Sequence, residues 1–166
     1  LVVEQVSYVQ SSNLSDWYIP SGGTNPILSG VRPDPGVVIR TDGTLLVYYA
    51  TGSAIRCISS SNGITWTGES ANLITITDTN MQYNCPSPIM EADGTVSVFF
   101  QRYTKNNDKA GWTNSPMIVK SAATATGTNF GPVQVLTGLR NGGWHFDANR
   151  VANCYRILAD NNINTG

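Results

Sequence analysis

The side chains able to do chemistry stand in two short stretches. Arg32 and Asp34 lie in RPDPGVV, and Trp144, His145, Asp147 and Arg150 lie in WHFDANR. Asp34 and Asp147 are carboxylates, and a positioned carboxyl group can give or take a proton. Arg32 and Arg150 flank them. A guanidinium either pairs with such a carboxylate or grips an acidic ligand through two parallel hydrogen bonds. Trp144 and Phe146 offer flat apolar faces. His145 is the only histidine, and its imidazole could tune a carboxylate or bind an ion. Each residue also has a plainer reading. Asp34 could accept backbone N–H bonds at a strand entry, Trp144 and Phe146 could fill a core, and His145 could be a hydrogen-bonded structural residue.

The elements that must position these residues repeat. Arg32 to Trp66 reads as one unit: an Asp-Pro entry, a strand, an Asp-Gly hairpin, two more strands, and a turn closed by a tryptophan. Val37 to Arg40 is a short strand. Asp42-Gly43 tolerates the positive φ angles of a tight β-turn. Leu45 to Ala50 is β-branched, aromatic or apolar and suits a strand buried on both faces. Shifted by 51 residues, Asp34-Pro35 to Asp42-Gly43-Thr44 lies over Cys85-Pro86 to Asp93-Gly94-Thr95 without a gap. Shifted by 49, Ser11-Ser12-Asn13 to Trp17 lies over Ser60-Ser61-Asn62 to Trp66. Gly127 to Phe130 is a degenerate third turn, and Asp147 to Val151 a third entry. A period near 50 filled with short strands predicts an all-β fold, a β-propeller blade array.

Composition agrees and excludes other classes. Of 166 residues, 40% are hydrophobic and 13% charged, and the net charge is -1, enough for one sizeable core. No Lys/Arg block exists, so nucleic acid is not an expected partner. No apolar run approaches the roughly 18 residues of a membrane span. Cys57, Cys85 and Cys154 are too few and too spread for a disulfide framework or a zinc site and read as buried free thiols, with one disulfide and one leftover thiol as the alternative.

In chain order, residues 1–17 read as the end of a blade, 32–66 as a blade, 85–130 as another with a long exposed insert at Tyr103 to Asn114, and 144–160 as the start of a further one. Together they form a single propeller domain, 1–166, or a fragment of one, with about three blades. Propellers close with at least four blades. The chain is therefore expected to be a fragment of a longer one, or to be completed by another copy or chain, and the fragment is preferred. Leu1 is not an initiator methionine and no leader is visible.

The phrases Asp34-Pro35-Gly36-Val37-Val38, Asp42-Gly43-Thr44, Tyr48-Tyr49 and Ser59 to Trp66 resemble the five-bladed propeller glycoside hydrolases, the arabinanase, xylosidase, levansucrase and invertase-like group. There a blade commonly opens with Asp-Pro and closes with a Ser-x-Asp-Gly-x-x-Trp-like turn. The turn also resembles the sialidase Asp-box, Ser-x-Asp-x-Gly-x-Thr-Trp, with Ser61 standing where the Asp would be. The resemblance spans roughly residues 11 to 160.

Glycoside hydrolysis uses two carboxyl groups flanking the scissile bond, and the resemblance implies that they project from the innermost strands. It makes Asp34 and Asp147 the catalytic candidates, and Arg32, Trp144, His145 and Arg150 the substrate-binding ones. Cys85 holds the middle register position, where a thiol cannot replace a carboxylate. The family's general acid is usually Glu, but Glu4, Glu69 and Glu91 all fall at peripheral or incomplete positions. The expected function is glycan recognition, most specifically glycoside hydrolysis. The alternative is a non-catalytic carbohydrate-binding or structural propeller of a secreted, cell-surface or viral surface protein, favoured by Cys85 and the missing Glu. The expected partners are carbohydrate and further blades of the same or another chain. No resident metal or cofactor is expected, though the resemblance admits a central calcium ion. The expected location is extracellular or surface-exposed.

Overall fold

The two Asp-Gly-Thr hairpins have one geometry. Gly43 and Gly94 take φ of 84° and 82°. Asp42 Oδ1 and Asp93 Oδ1 each accept the N–H two residues on, from Thr44 and Thr95, at 3.0 Å. The flanking backbone bonds also recur: Arg40 N–H to Thr44 C=O at 2.9 Å and Glu91 N–H to Thr95 C=O at 2.8 Å. Side-chain capping and a glycine in the left-handed region thus fix both strand registers. The protein's structure, a computed structural model, describes residues 5–30, 34–68, 72–104, 117–123, 128–136 and 145–159.

The fold is all-β, and no helix occurs among the described residues. β1 (Gln5–Val6) and β2 (Leu28–Ser29) form a two-stranded sheet. β3 (Gly36–Ile39), β4 (Leu45–Ala50), β5 (Ala54–Ser60) and β6 (Ile74–Thr75) form a four-stranded antiparallel meander. β7 (Met81–Met90), β8 (Val96–Thr104), β9 (Met117–Ala123) and β10 (Gln134–Val135) form a second. β11 (Phe146–Val151) and β12 (Cys154–Ala159) make a hairpin. Consecutive pairing within each sheet is the blade topology of a propeller. The fourth strands, β6 and β10, are two residues long.

The sheets pack face to face in chain order. Val47, Tyr49 and Ile58 of the first four-stranded sheet bury Leu28, with Val6 and Trp66 against them. Its other face, Leu46, Tyr48 and Ile55, meets Tyr83, Val98 and Phe100 of the second sheet. The far face of that sheet, Ile89 and Phe99, meets Ala148 of β11. β4 is buried along almost its whole length because it is covered on both faces, so its side chains alternate between two cores. Tyr48, Tyr49 and Phe100 are at most 1% exposed, and each such burial is worth about 1.5–3 kcal/mol.

Two expectations need correction. Cys57 and Cys85 are buried free thiols, but Cys154 is exposed, since it sits at the tip of the tight β11–β12 hairpin. In the closing turn, the residue doing the work of an Asp is Asn62 rather than Ser61. Asn62 Oδ1 accepts from Ile64 N–H at 2.8 Å and Thr65 N–H at 2.9 Å. Asn13 Oδ1 does the same for Ser15 and Asp16, both at 2.9 Å. The turn therefore has the register Ser-x-Asn-Gly-x-x-Trp.

Candidate functional site

The site lies where the first strands of successive sheets converge. Gly36 begins β3 at its closest approach to β7: a Cβ there would strike the Pro86 carbonyl and the Pro88 ring. Only a residue without a side chain allows this approach. It brings the two blade entries together. Asp34 and Cys85, 51 positions apart in the repeat, both take left-handed backbone conformations, φ 66° and 49°. That conformation costs a non-glycine residue roughly 1–2 kcal/mol, and Asp tolerates it better than Cys because its side chain bonds locally. At Cys85 the β7–β8 register shifts between Asn84 and Ser87, so the strand bulges at its innermost part.

Two side chains meet at Asp34. The Cys85 thiol donates to Asp34 Oδ2 at 3.3 Å, and His145 Nε2 lies 3.4 Å from the same oxygen. The Asp34 side chain is 36% exposed and that of His145 67%, so the pair opens to solvent. Asp147 is held separately. Ser87 Oγ donates to its Oδ1 at 2.9 Å and Asn149 Nδ2 to its Oδ2 at 3.0 Å. Ser87 Oγ in turn accepts the Ala148 N–H at 2.9 Å, which ties β11 to β7. Asp34 and Asp147 line one open cleft of about 220 Å³, with Phe146, Pro35 and Pro86 on its walls.

Of the residues singled out in the sequence, Asp34, His145 and Asp147 come together here. Arg150 goes elsewhere. It points to the opposite face of β11 from Asp147, and its Nη1 lies 3.1 Å from Glu91 Oε2. Glu91 also accepts from the Tyr155 hydroxyl at 2.7 Å and from Ser97 Oγ. This cluster clamps the second four-stranded sheet to the β11–β12 hairpin, and it occupies Glu91 outside the cleft. Arg32 and Trp144, together with Glu4 and Glu69, lie outside the described residues. The third blade entry is also offset: His145, rather than Asp147, reaches Asp34, while Asp147 reaches Ser87, two residues beyond Cys85.

Ser87 and Asn149 were not singled out in the sequence. Strand period could have found Asn149, two residues beyond Asp147 on the same face of β11, but not Ser87, because the bulge after Asn84 breaks the alternation between it and Cys85. Among the described residues no group of three His, Cys, Asp or Glu side chains is arranged to hold a metal ion.

No protein-family model and no curated protein matches the chain. Among solved structures it is similar to an alpha-L-arabinofuranosidase from Clostridium thermocellum, at 11% identity and a TM-score of 0.41. That alignment covers 92% of this chain and 70% of the arabinofuranosidase chain.

Proposed function

We propose that this chain is a glycan-recognising propeller whose cleft, in its most specific form, is a glycoside hydrolase-like centre. The observation that carries the reading is that Asp34 and Asp147, from two different blade entries, line one open cleft. Hydrolysis of a glycosidic bond needs one carboxyl group to protonate the leaving oxygen and a second to attack or to activate water. Asp147 is oriented through both its oxygens. Asp34 faces the exposed imidazole of His145 at 3.4 Å. Phe146 supplies an apolar face to one sugar ring. The cleft is smaller than the roughly 300–1,000 Å³ of most small-molecule sites, which suits one ring of a chain that continues into solvent.

The test is turnover and binding on arabinan, xylan, fructan and sialoside panels, with Asp34→Asn and Asp147→Asn beside the unsubstituted chain. Loss of about 10²–10⁴ in rate with binding retained supports the hydrolase. Unchanged rates in both variants would remove these carboxylates from the chemistry.

A second reading is a non-catalytic carbohydrate-binding or structural propeller of a secreted or surface protein. It is favoured by the thiol of Cys85 beside Asp34, and by Glu91 being engaged by Arg150 and Tyr155 away from the cleft. Glycan binding without turnover on any panel member would select it.

A further inference from the structure

The sequence has two Asn-Gly pairs, and one of them, Asn62-Gly63, forms the tip of the closing turn after β5. Asparagine is a chemically labile residue. It loses ammonia most readily before glycine, where no side chain hinders attack of the next backbone nitrogen on the asparagine Cγ. The fold leaves no alternative to glycine at this point. Gly63 has φ 70°, and a Cβ there would lie 2.7 Å from the Tyr8 ring. The equivalent turn 49 residues upstream is open at the same position and carries Leu14, at φ 63° and 81% exposed. The same Asn-centred turn thus occurs once with a hindered successor and once with an unhindered one.

Ser60 holds this pair unreactive. Gly63 is buried, and its N–H donates to Ser60 Oγ at 2.8 Å. The same oxygen accepts the Asn62 N–H at 3.3 Å and donates its own proton to Asn62 Oδ1 at 3.1 Å. Its one proton and both lone pairs are therefore in use. Attack on Cγ needs the Gly63 nitrogen stripped of its proton. In the folded turn that proton lies against a buried hydroxyl, which is no base, and out of reach of hydroxide. The N–H groups of Ile64 and Thr65, 2.8 and 2.9 Å from Asn62 Oδ1, act in the opposite sense, because they would stabilise the oxyanion formed by attack. They act only once a nucleophile exists, so the guarded Gly63 nitrogen decides the outcome.

We propose that Asn62 is a latent deamidation site, kept closed by Ser60 and released when the turn opens. On opening, hydroxide takes the Gly63 amide proton, the nitrogen adds to Asn62 Cγ, and the Cγ–Nδ2 bond breaks with loss of ammonia. Water then opens the resulting cyclic imide. Addition at Cγ gives aspartate, and addition at the backbone carbonyl carbon gives isoaspartate. Nothing is oxidised or reduced, and water is the co-reactant. The two products differ in their effect on the fold. Aspartate keeps an acceptor where Asn62 Oδ1 stood. Isoaspartate routes the main chain through Cβ and lengthens it by one carbon inside a turn closed by its own hydrogen bonds, so Trp66 loses its seat against Tyr8. An opening of this turn is thereby made irreversible.

The test is incubation of the full chain at pH 8 and 37 °C, with and without guanidinium chloride, followed by peptide mass mapping. Asn62 should convert roughly tenfold or more slowly in buffer than in denaturant, because the folded rate follows the population of the open turn. Asn13, followed by Leu14, should stay intact in both over the same period. Ser60→Ala removes the guard, and in buffer it should convert at Asn62 roughly tenfold faster than the unsubstituted chain, the weight of one hydrogen bond. Far-UV circular dichroism checks that this variant folds, and the comparison within the unsubstituted chain decides by itself where it does not. Equal rates at Asn62 with and without denaturant would overturn the proposal. So would a folded Ser60→Ala chain that converts no faster than the unsubstituted one.

Discussion

Cys85 Sγ lies 3.3 Å from Asp34 Oδ2, although the two residues hold the same place in successive repeats. Both are non-glycine residues with φ between 49° and 66°. The repeat therefore brings equivalent atoms of neighbouring blades into contact at the cleft, and the middle residue must tolerate a carboxylate beside it. A neutral thiol does so as a donor, whereas a second carboxylate would repel Asp34.

That contact predicts an ordered series. Cys85→Ser keeps the donor and should be close to neutral. Cys85→Ala removes the hydrogen bond and should cost about 1–2 kcal/mol in urea unfolding. Cys85→Asp should be the most destabilised at pH 7 and recover part of its loss as pH falls and one of the two carboxylates is neutralised. A Cys85→Asp chain as stable at pH 7 as the Ser variant would show that the two side chains do not share this space.

The thiols should separate by reactivity. Burial pushes the Cys57 thiol up to about 12, and the thiolate is the form that reacts with alkylating agents. Cys85 is 3% exposed, while Cys154 is exposed. Iodoacetamide at pH 8 should therefore add one label quickly, at Cys154, and label Cys57 and Cys85 only on unfolding. Peptide mass mapping against denaturant concentration checks this, and early labelling of Cys57 would contradict the packing of the two four-stranded sheets on each other.

The hairpins give a pH dependence with a definite sign. The backbone N–H and hydroxyl of Thr44 hold the Asp42 carboxyl below its usual 3.8, and those of Thr95 do the same for Asp93. A carboxyl with a depressed folded value adds stability that is fully present above its unfolded value and is lost as pH falls through the folded one. Both turns should therefore hold through pH 5 and loosen below 3.8. Carboxyl and Thr44/Thr95 amide shifts followed by NMR titration should show midpoints under 3.8 in the native chain, and Asp42→Asn should remove the step at its own hairpin alone. Midpoints at or above 3.8 would mean that the turn bonds are not formed.

Much of this fold was legible because its signals are local. Asp42-Gly43-Thr44 and Asp93-Gly94-Thr95 form their turns with atoms within four residues, and Ser60 to Trp66 closes on its own Asn62. What was not legible depends on how sheets stack. Nothing near Arg150 in sequence points to Glu91, 59 residues away, and the alternation that sends Arg150 and Asp147 to opposite faces of β11 shows only once that strand is placed. The bulge at Asn84/Ser87 likewise decides that Ser87, not Cys85, reaches Asp147. Periodicity names the strands and their faces. The partner across the interface comes from the relative placement of two sheets, which no local pattern encodes.

The Glu91 cluster should act as an inter-sheet fastener. The Glu91 side chain is 11% exposed and that of Arg150 30%. Glu91→Gln should cost about 2–3 kcal/mol, below the roughly 3–5 kcal/mol for breaking a fully buried pair, because the arginine keeps some access to water. Tyr155→Phe should cost about 1 kcal/mol. The double variant should lose less than the sum, since both act through one carboxylate. Additive losses would mean that the Tyr155 hydroxyl acts independently of the Glu91 carboxylate.

The two closing turns test how far local bonding alone supports a blade. Asn62 and Asn13 accept the same two backbone N–H groups at nearly the same distances, but their surroundings differ. The Asn62 turn seats Trp66 against Tyr8 and the core around Tyr49, and Tyr8 also lies on Gly63, where a Cβ would strike its ring. The Asn13 turn carries the exposed Trp17. Asn62→Ala should therefore cost about 1–2 kcal/mol, through unmade bonds to two backbone donors and a loosened indole, and Asn62→Asp should be tolerated because a carboxylate accepts the same bonds. Asn13→Ala should cost only a few tenths, as for most surface changes, where water replaces the lost acceptor. Equal losses at the two positions would mean that Trp17 is as well packed in solution as Trp66.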